Sequence, residues 1–317
     1  MQYKIRSGIF GLAIGDALGV PVEFGTRASL KSNPVTNMRG YGTYHQPPGT
    51  WSDDTSMTLC LVDALAEGTM NYKSIMDKFC EWMNNGKYTP YQELFDIGNA
   101  TRKALLRYGQ GYEPLECGGK SELDNGNGSL MRILPMAYYL RATYGRGSKI
   151  KDCIEQVHNI SKLTHAHIRS QIACGIYVSI AIYLIDEYDI KAAIDHGIKE
   201  AFDFYLQDAR YSSELRHYKR IQDKAFGFLC EAQIKSSGYV VDSLEAALWC
   251  LLNTYNYKEC VLKAVNLGED TDTIAAIAGG LAGIAYGMDS FPEEWIHTIA
   301  QKSYIEELCS RFMRGDY

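Results

Sequence analysis

Apolar residues recur at helical spacing along almost the whole chain. Between Ile168 and Glu187, the residues Ile172, Ile176, Ser179, Ile180 and Tyr183 fall on one face of a 3.6-residue repeat. The same spacing predicts helices over Tyr3–Leu18, Thr55–Glu67, Tyr72–Asn84, Leu94–Tyr108, Ser129–Tyr144, Lys151–Lys162, Ile190–Tyr205, Ser243–Leu252, Tyr257–Asn266, Thr273–Gly287 and Glu293–Arg311. No series of alternating strands accompanies them, and only "GYVVDS" (238–243) reads as extended chain. Most loops are short and no Pro- or Ser-rich linker divides the sequence. The expected fold is therefore all-α: a single compact orthogonal helical domain over residues 1–317.

One predicted helix is unusual. "TIAAIAGGLAGIAYG" (273–287) is full of Ala and Gly, although Gly costs a helix roughly 1 kcal/mol against Ala. Small residues offset that cost where helices approach closely. This helix should lie centrally, with its N-terminus deep in the fold, and Asp270, Asp272 and Thr273 stand at that N-terminus.

A second acidic cluster has the same form. "GTWSDDTSMTLC" (49–60) places Ser52, Asp53 and Asp54 before an apolar helix, as "GEDTDTIAAIAGG" (268–280) does. Capping explains either cluster alone, because Ser, Thr and Asp accept from helix N–H groups and acids suit the helix dipole. Capping needs one acceptor, however, and gives no reason for two similar clusters. Several carboxylates near an apolar interior are costly unless something positive neutralises them. Mg²⁺ or Mn²⁺ does so with oxygen ligands alone. Two such ions about 4 Å apart can share carboxylates and polarise a water. Two facing helix N-termini would supply Ser52, Asp53, Asp54, Asp270, Asp272 and Thr273.

Four further stretches carry chemistry-bearing residues. "GLAIGDALGVPVEF" presents Asp16 and Glu23 on a Gly-punctuated turn. "LFDIGNATRKAL" sets Asp96 in an apolar helical face, where an unpaired acid is costly. "NGNGSLMRILP" is a Gly-rich turn into a helix, either a plain turn or a cradle of N–H groups for phosphate. "LTHAHIRS" puts His165 and His167 at a helix start, as caps, satisfied core residues or ligand contacts.

Together these stretches resemble the ADP-ribosylglycohydrolase family, in the same order from near residue 8 to near residue 288. The resemblance implies an all-α fold with two Mg²⁺ or Mn²⁺ ions and cleavage of the glycosidic bond between ADP-ribose and an acceptor. It implies metal ligation by Ser52, Asp53, Asp54, Asp270, Asp272 and Thr273, and a catalytic pair in Glu23, beside the metals, and Asp96, facing the scissile linkage. Asn127, Gly128 and Ser129 match the loop that holds ADP-ribose, and His165 matches a cleft residue. Ser52 stands where many members have Thr, which keeps the hydroxyl. Arginine-linked ADP-ribose is the expected substrate, on an ADP-ribosylated protein or a small ADP-ribosyl compound. The rivals are a non-catalytic ADP-ribose or nucleotide binder, or structural protein, on the same scaffold, and another two-metal hydrolase such as a phosphohydrolase. Residues 200–237 carry no assignable motif.

Composition narrows the setting. The net charge of −6 argues against a stable nucleic-acid partner. The nine cysteines are odd in number and form no C-x-x-C pair, as expected of reduced thiols in a cytoplasmic protein. Lys4 and Arg6 precede an apolar run like a signal peptide, but Asp16 interrupts it. The apolar tract Ile274–Met288 is shorter than the roughly 20 residues a membrane span needs, so no membrane partner is expected.

Overall fold

A computed structural model describes residues 2–145 and 153–315. The longer helices are α1 (Gln2–Gly19), α2 (Asp53–Leu65), α3 (Tyr72–Asn85), α4 (Asn99–Gly109), α5 (Pro135–Tyr144), α6 (Ile154–Lys162), α7 (Ile168–Ile185), α8 (Ile190–Tyr205), α9 (Val240–Leu252), α10 (Tyr257–Val265), α11 (Thr271–Tyr286) and α12 (Lys302–Met313). Among the described residues there is no strand, only isolated bridges joining Gly119 to His165 and Gly126 to Tyr239. One continuous apolar core runs through these helices.

The centre is an antiparallel pair, α1 against α11. A Cβ on Gly15 would lie 2.1 Å from the Ala275 carbonyl oxygen, and one on Gly279 would lie 2.3 Å from that of Gly11. Only glycine permits backbones to approach this closely, so the small residues of α11 are explained by contact, as their composition predicts. The pairing sets the C-terminal end of α1 beside the N-terminus of α11, where Thr271 Oγ1 donates to the Gly19 carbonyl (2.8 Å). Phe24 N then donates to the Glu269 carbonyl (2.7 Å) and Glu269 N to that of Gly25 (2.8 Å). These bonds hold Glu23 against the second acidic cluster.

Several predicted elements are corrected. "GYVVDS" is not a strand: Tyr239 makes only an isolated bridge to Gly126, and α9 begins at Val240, its first turn closed by Ser243 N donating to the Tyr239 carbonyl (3.0 Å). The helix predicted over Leu94–Tyr108 starts only at Asn99, so Asp96 lies in a loop. The one predicted over Ser129–Tyr144 starts at Pro135, and the Gly-rich stretch stays a turn. Glu293–Arg311 is broken where Ala300 N donates to the Gly49 carbonyl (3.0 Å) and Gln301 turns left-handed, with φ of 45°. The first residues of the helix predicted at Lys151–Lys162 lie outside the described residues.

The nine cysteines are free thiols, with Cys230 exposed and Cys80 partly so. The expectation that no segment suits a membrane span is also corrected. Tyr3–Val22 and Ile168–Ile185 are long and apolar enough to cross one, but 89% of each lies buried inside the protein.

Candidate active site

The two acidic clusters meet. Thr273 Oγ1, at the start of α11, donates to Asp54 Oδ2 at the start of α2 (3.3 Å). Carboxylate oxygens of Glu23, Asp96 and Asp272 all lie within 4.8 Å of one another. Gly98 N donates to Asp53 Oδ2 (3.2 Å), which draws the Asp96 loop in to the same place.

Capping is largely done by a residue whose role the sequence does not reveal. Asp16, on α1 and fully buried, accepts from Ser52 N (2.9 Å), Thr55 N (3.0 Å) and Thr55 Oγ1 (2.6 Å). It caps α2 from another helix. Ser52 also accepts from Asp54 N (3.4 Å) and gives its own proton to Asp54 Oδ2 (3.1 Å). Asp53 and Asp54 are thereby released from capping.

Their electrostatics reflect that freedom. Asp53, Asp54 and Asp272 are pushed well above the usual carboxylate range by burial and by neighbouring carboxylates. Burial, then the charge of Asp96, lifts Glu23 to about 8, and burial lifts Asp16 to about 6. Burial also raises Asp96 and Asp270. No cation of the chain is among the leading influences on any of these groups. Asp54 Oδ1 and Glu23 Oε2 are buried with no hydrogen-bond partner. Unpartnered buried carboxylate oxygens are expensive, and an oxygen-only donor set of this charge fits hard divalent cations.

The flanks are polar on one side and aromatic on the other. Asn127 Nδ2 donates to Asp270 Oδ2 (2.7 Å) and Ser243 Oγ (2.9 Å), tying the Gly-rich turn to the acids. Gly128 packs on His165, where an added Cβ would lie 2.7 Å from the imidazole Cε1. Ser129 is set apart: the residue is wholly buried, with its hydroxyl 2.9 Å from Ser161 Oγ. Tyr44 stands by both Glu23 and Asp96, whose carboxyls its phenol lowers against the effect of burial. Its ring neighbours Phe95 (centroids 5.1 Å apart) and Phe24 (6.5 Å). Phe24 is 69% exposed and, like Tyr41 and His45, has positive φ, and strain of this kind gathers at functional sites. No spacing in the sequence marks Tyr44, which reaches the acids through an irregular loop.

The ADP-ribosylglycohydrolase family model matches residues 1–317. The chain belongs to the ADP-ribosylglycohydrolase family. It is accordingly a hydrolase. It is 32% identical to the ADP-ribosylarginine hydrolase Tri1 of Pseudomonas putida (strain GB-1), an alignment covering 96% of this chain and 76% of that protein. It is also 32% identical to the ADP-ribosyl-[dinitrogen reductase] glycohydrolase of Rhodospirillum rubrum, over 94% of this chain and 91% of that one. A solved ADP-ribosylglycohydrolase-related protein complex superposes with a TM-score of 0.78 at 29% identity, covering 99% and 98% of the two chains.

Proposed function

We propose that this ADP-ribosylglycohydrolase cleaves the N-glycosidic bond between ADP-ribose and an arginine side chain of a modified protein, with two divalent cations bound. The observation that carries this reading is the convergence of Glu23, Asp96 and Asp272 within 4.8 Å, with the Tyr44 and Phe95 rings paired nearby. A guanidinium is planar and cationic, and both carboxylates and ring faces attract it. One of the relatives at 32% identity is named for ADP-ribosylarginine.

Ser52, Asp53, Asp54, Asp270, Asp272 and Thr273 would hold the cations, magnesium or manganese. Bound there, such ions neutralise the cluster, orient ribose hydroxyls and acidify a water. The chain's own groups do the rest. Asp96 faces the acceptor and hydrogen-bonds the guanidino group as the C1″–N bond breaks and its electron pair passes to nitrogen. Glu23, ionised once the cluster is neutralised, takes the proton of the water that attacks C1″. Two acidic groups flanking an oxocarbenium-like centre are the general solution to glycoside hydrolysis. Tyr44 holds both in register. Asn127 and Gly128 line the ADP-ribose side, with Ser129 buried behind them and His165 closing the wall.

The test is a panel of substrates carrying ADP-ribose on arginine, on serine and on a nucleic-acid base, with Mg²⁺ or with EDTA. Release of free ADP-ribose from the arginine substrate alone, dependent on Mg²⁺, is expected. AMP as product would indicate a phosphohydrolase, and binding without release would indicate a non-catalytic binder. Gly128→Val should weaken ADP-ribose binding about tenfold or more, because the new side chain drives into His165. Unchanged affinity would move the ligand off this turn.

A further inference from the structure

Arg132 follows the Gly-rich turn and is fully buried (0% exposed). Among the described residues no carboxylate pairs with it. Its Nη2 donates to Thr164 Oγ1 (2.7 Å) and to the Ile160 carbonyl (3.3 Å), and the Phe79 ring centre lies 4.8 Å from the guanidinium carbon. Nε and Nη1 have no partner. Burial lowers it only to about 10, so it is a cation at neutral pH. A buried cation without a counter-charge is costly, and packing alone gives no reason to keep it.

Its strongest bond explains it. Thr164 Oγ1 also lies 2.8 Å from His165 Nδ1. Arginine is donor-only, so it takes a lone pair of the hydroxyl and cannot receive the hydroxyl proton. The second lone pair could still take an Nδ1–H, but the cation on the oxygen makes it a poorer acceptor and its proton a stronger donor, which favours an unprotonated Nδ1. His165 itself is pinned: its N donates to the Ser161 carbonyl (2.8 Å) and its carbonyl accepts from Ser161 Oγ (2.9 Å). Burial, then the charge of Arg132, holds its imidazole down to about 3, hence neutral. The other edge of the ring borders the turn, where a Cβ on Gly126 would be 3.5 Å from Nε2 and one on Gly128 3.2 Å.

We propose that Arg132 is a positioning residue: through Thr164 it fixes His165 in the tautomer protonated on Nε2, so that the wall beside the Gly126–Gly128 turn presents a neutral N–H donor to a ligand oxygen. Without the arginine that polarisation is lost, and Thr164 accepts from Nδ1–H as readily as it donates. Nε2 then turns a lone pair toward the ligand and repels the oxygen it should bind. This inference rests on the ADP-ribose reading only for the ligand's identity; the tautomer itself does not depend on it.

The experiment reads the His165 imidazole by long-range ¹H–¹⁵N correlation in Mg²⁺-loaded, ¹⁵N-histidine-labelled protein, assigned with His165→Gln. ADP-ribose affinity is measured on the same samples. The unaltered protein should show the proton on Nε2. Thr164→Val, nearly isosteric, should shift the tautomer and weaken ADP-ribose about tenfold, which is about 1.4 kcal/mol. Thr164→Ser should restore both, and Arg132→Met should reproduce the valine result. Should Arg132→Met fail to fold, the Thr164 pair carries the test. A proton on Nδ1 in the unaltered protein overturns the proposal, as does a Thr164→Val variant in which either the tautomer or the affinity stays put. If the unaltered protein shows Nε2–H but binds no ADP-ribose, the functional reading fails and the relay stands.

Discussion

Helix α2 buries acids at both ends, and the two ends behave in opposite ways. At its C-terminal end Asp63 accepts from Lys78 Nζ (2.9 Å) and Tyr88 OH (2.8 Å), with Arg311 Nη1 2.7 Å away. Burial pushes that carboxyl up, but the bonds from Lys78 and Tyr88 and the charge of Arg311 hold it below the usual range. At the N-terminal end, Asp53 and Asp54 are buried among other carboxylates with no such partner, and both are pushed up. Burial is common to both ends, so the chain's own cations make the difference. An acid supplied with cations is structure; acids gathered without them leave their charge for something outside the chain.

The largest expected effect lies at the unpaired end. Asp53→Asn or Asp272→Ala should lower ADP-ribose release by about a thousandfold or more, since each 1.36 kcal/mol of lost transition-state stabilisation is tenfold in rate. The same variants should melt no earlier than the unaltered protein in EDTA, because they remove repulsion. A variant that melts earlier yet turns over normally would make these acids caps like Asp16 and erase the contrast.

Asp63→Asn should do the reverse. It leaves Lys78 and Arg311 without their shared anion and should cost about 1–3 kcal/mol of stability, with Arg311 partly exposed and so discounted. Turnover per folded molecule should stay within about twofold of the unaltered protein. Urea melts and titrated active protein check both halves.

The pH dependence should also differ in sign. Groups raised in the fold bind protons that the unfolded chain has already lost. Their contribution is present below the unfolded value near 4 and is lost as pH rises through the folded one. For Asp16 and Glu23 those folded values are about 6 and about 8. Metal-free protein should therefore lose stability between about pH 4 and pH 8, and saturating Mg²⁺ should flatten the loss. Asp63, lowered in the fold, contributes above its unfolded value and loses that contribution only as pH falls into acid. An EDTA melt series that is flat from pH 5 to pH 8 would remove the electrostatic basis of the comparison.

The smallest effects come from one hydroxyl at each end. Tyr88→Phe removes the phenol on Asp63 and should cost about 1 kcal/mol of stability with little change in rate. Tyr44→Phe removes the one shared by Glu23 and Asp96 and should slow turnover about tenfold with little change in melting. Equal stability losses for the pair would show that Tyr44 is as structural as Tyr88.

The sequence shows the two clusters because each adjoins an apolar helix, and it shows the α1–α11 seam because glycine inside a helix demands a reason. It hides what depends on distant chain. Leu94, Phe95 and Ile97 mimic helical spacing, yet the Asp96 loop follows the bond from Gly98 to Asp53. Val240 and Val241 favour strands, but among the described residues no strand lies beside them to pair with, and they open α9. Asp16 reads as part of a turn because Ser52, at the head of the helix it caps, lies 36 residues later. Ser129 sits in a ligand-like motif while its side chain points into the core.

The glycine seam also orders events in time. Gly15 meets Ala275, so the contact that brings the acids together joins α1 to a helix that is made much later. Pairings so far apart in sequence close slowly and late. During synthesis, the ribosome therefore holds a polypeptide whose first acidic residues have nothing to face until α11 emerges. Hydrolytic competence then cannot arise before α11 has been made, and a product terminated short of α11 should be inert.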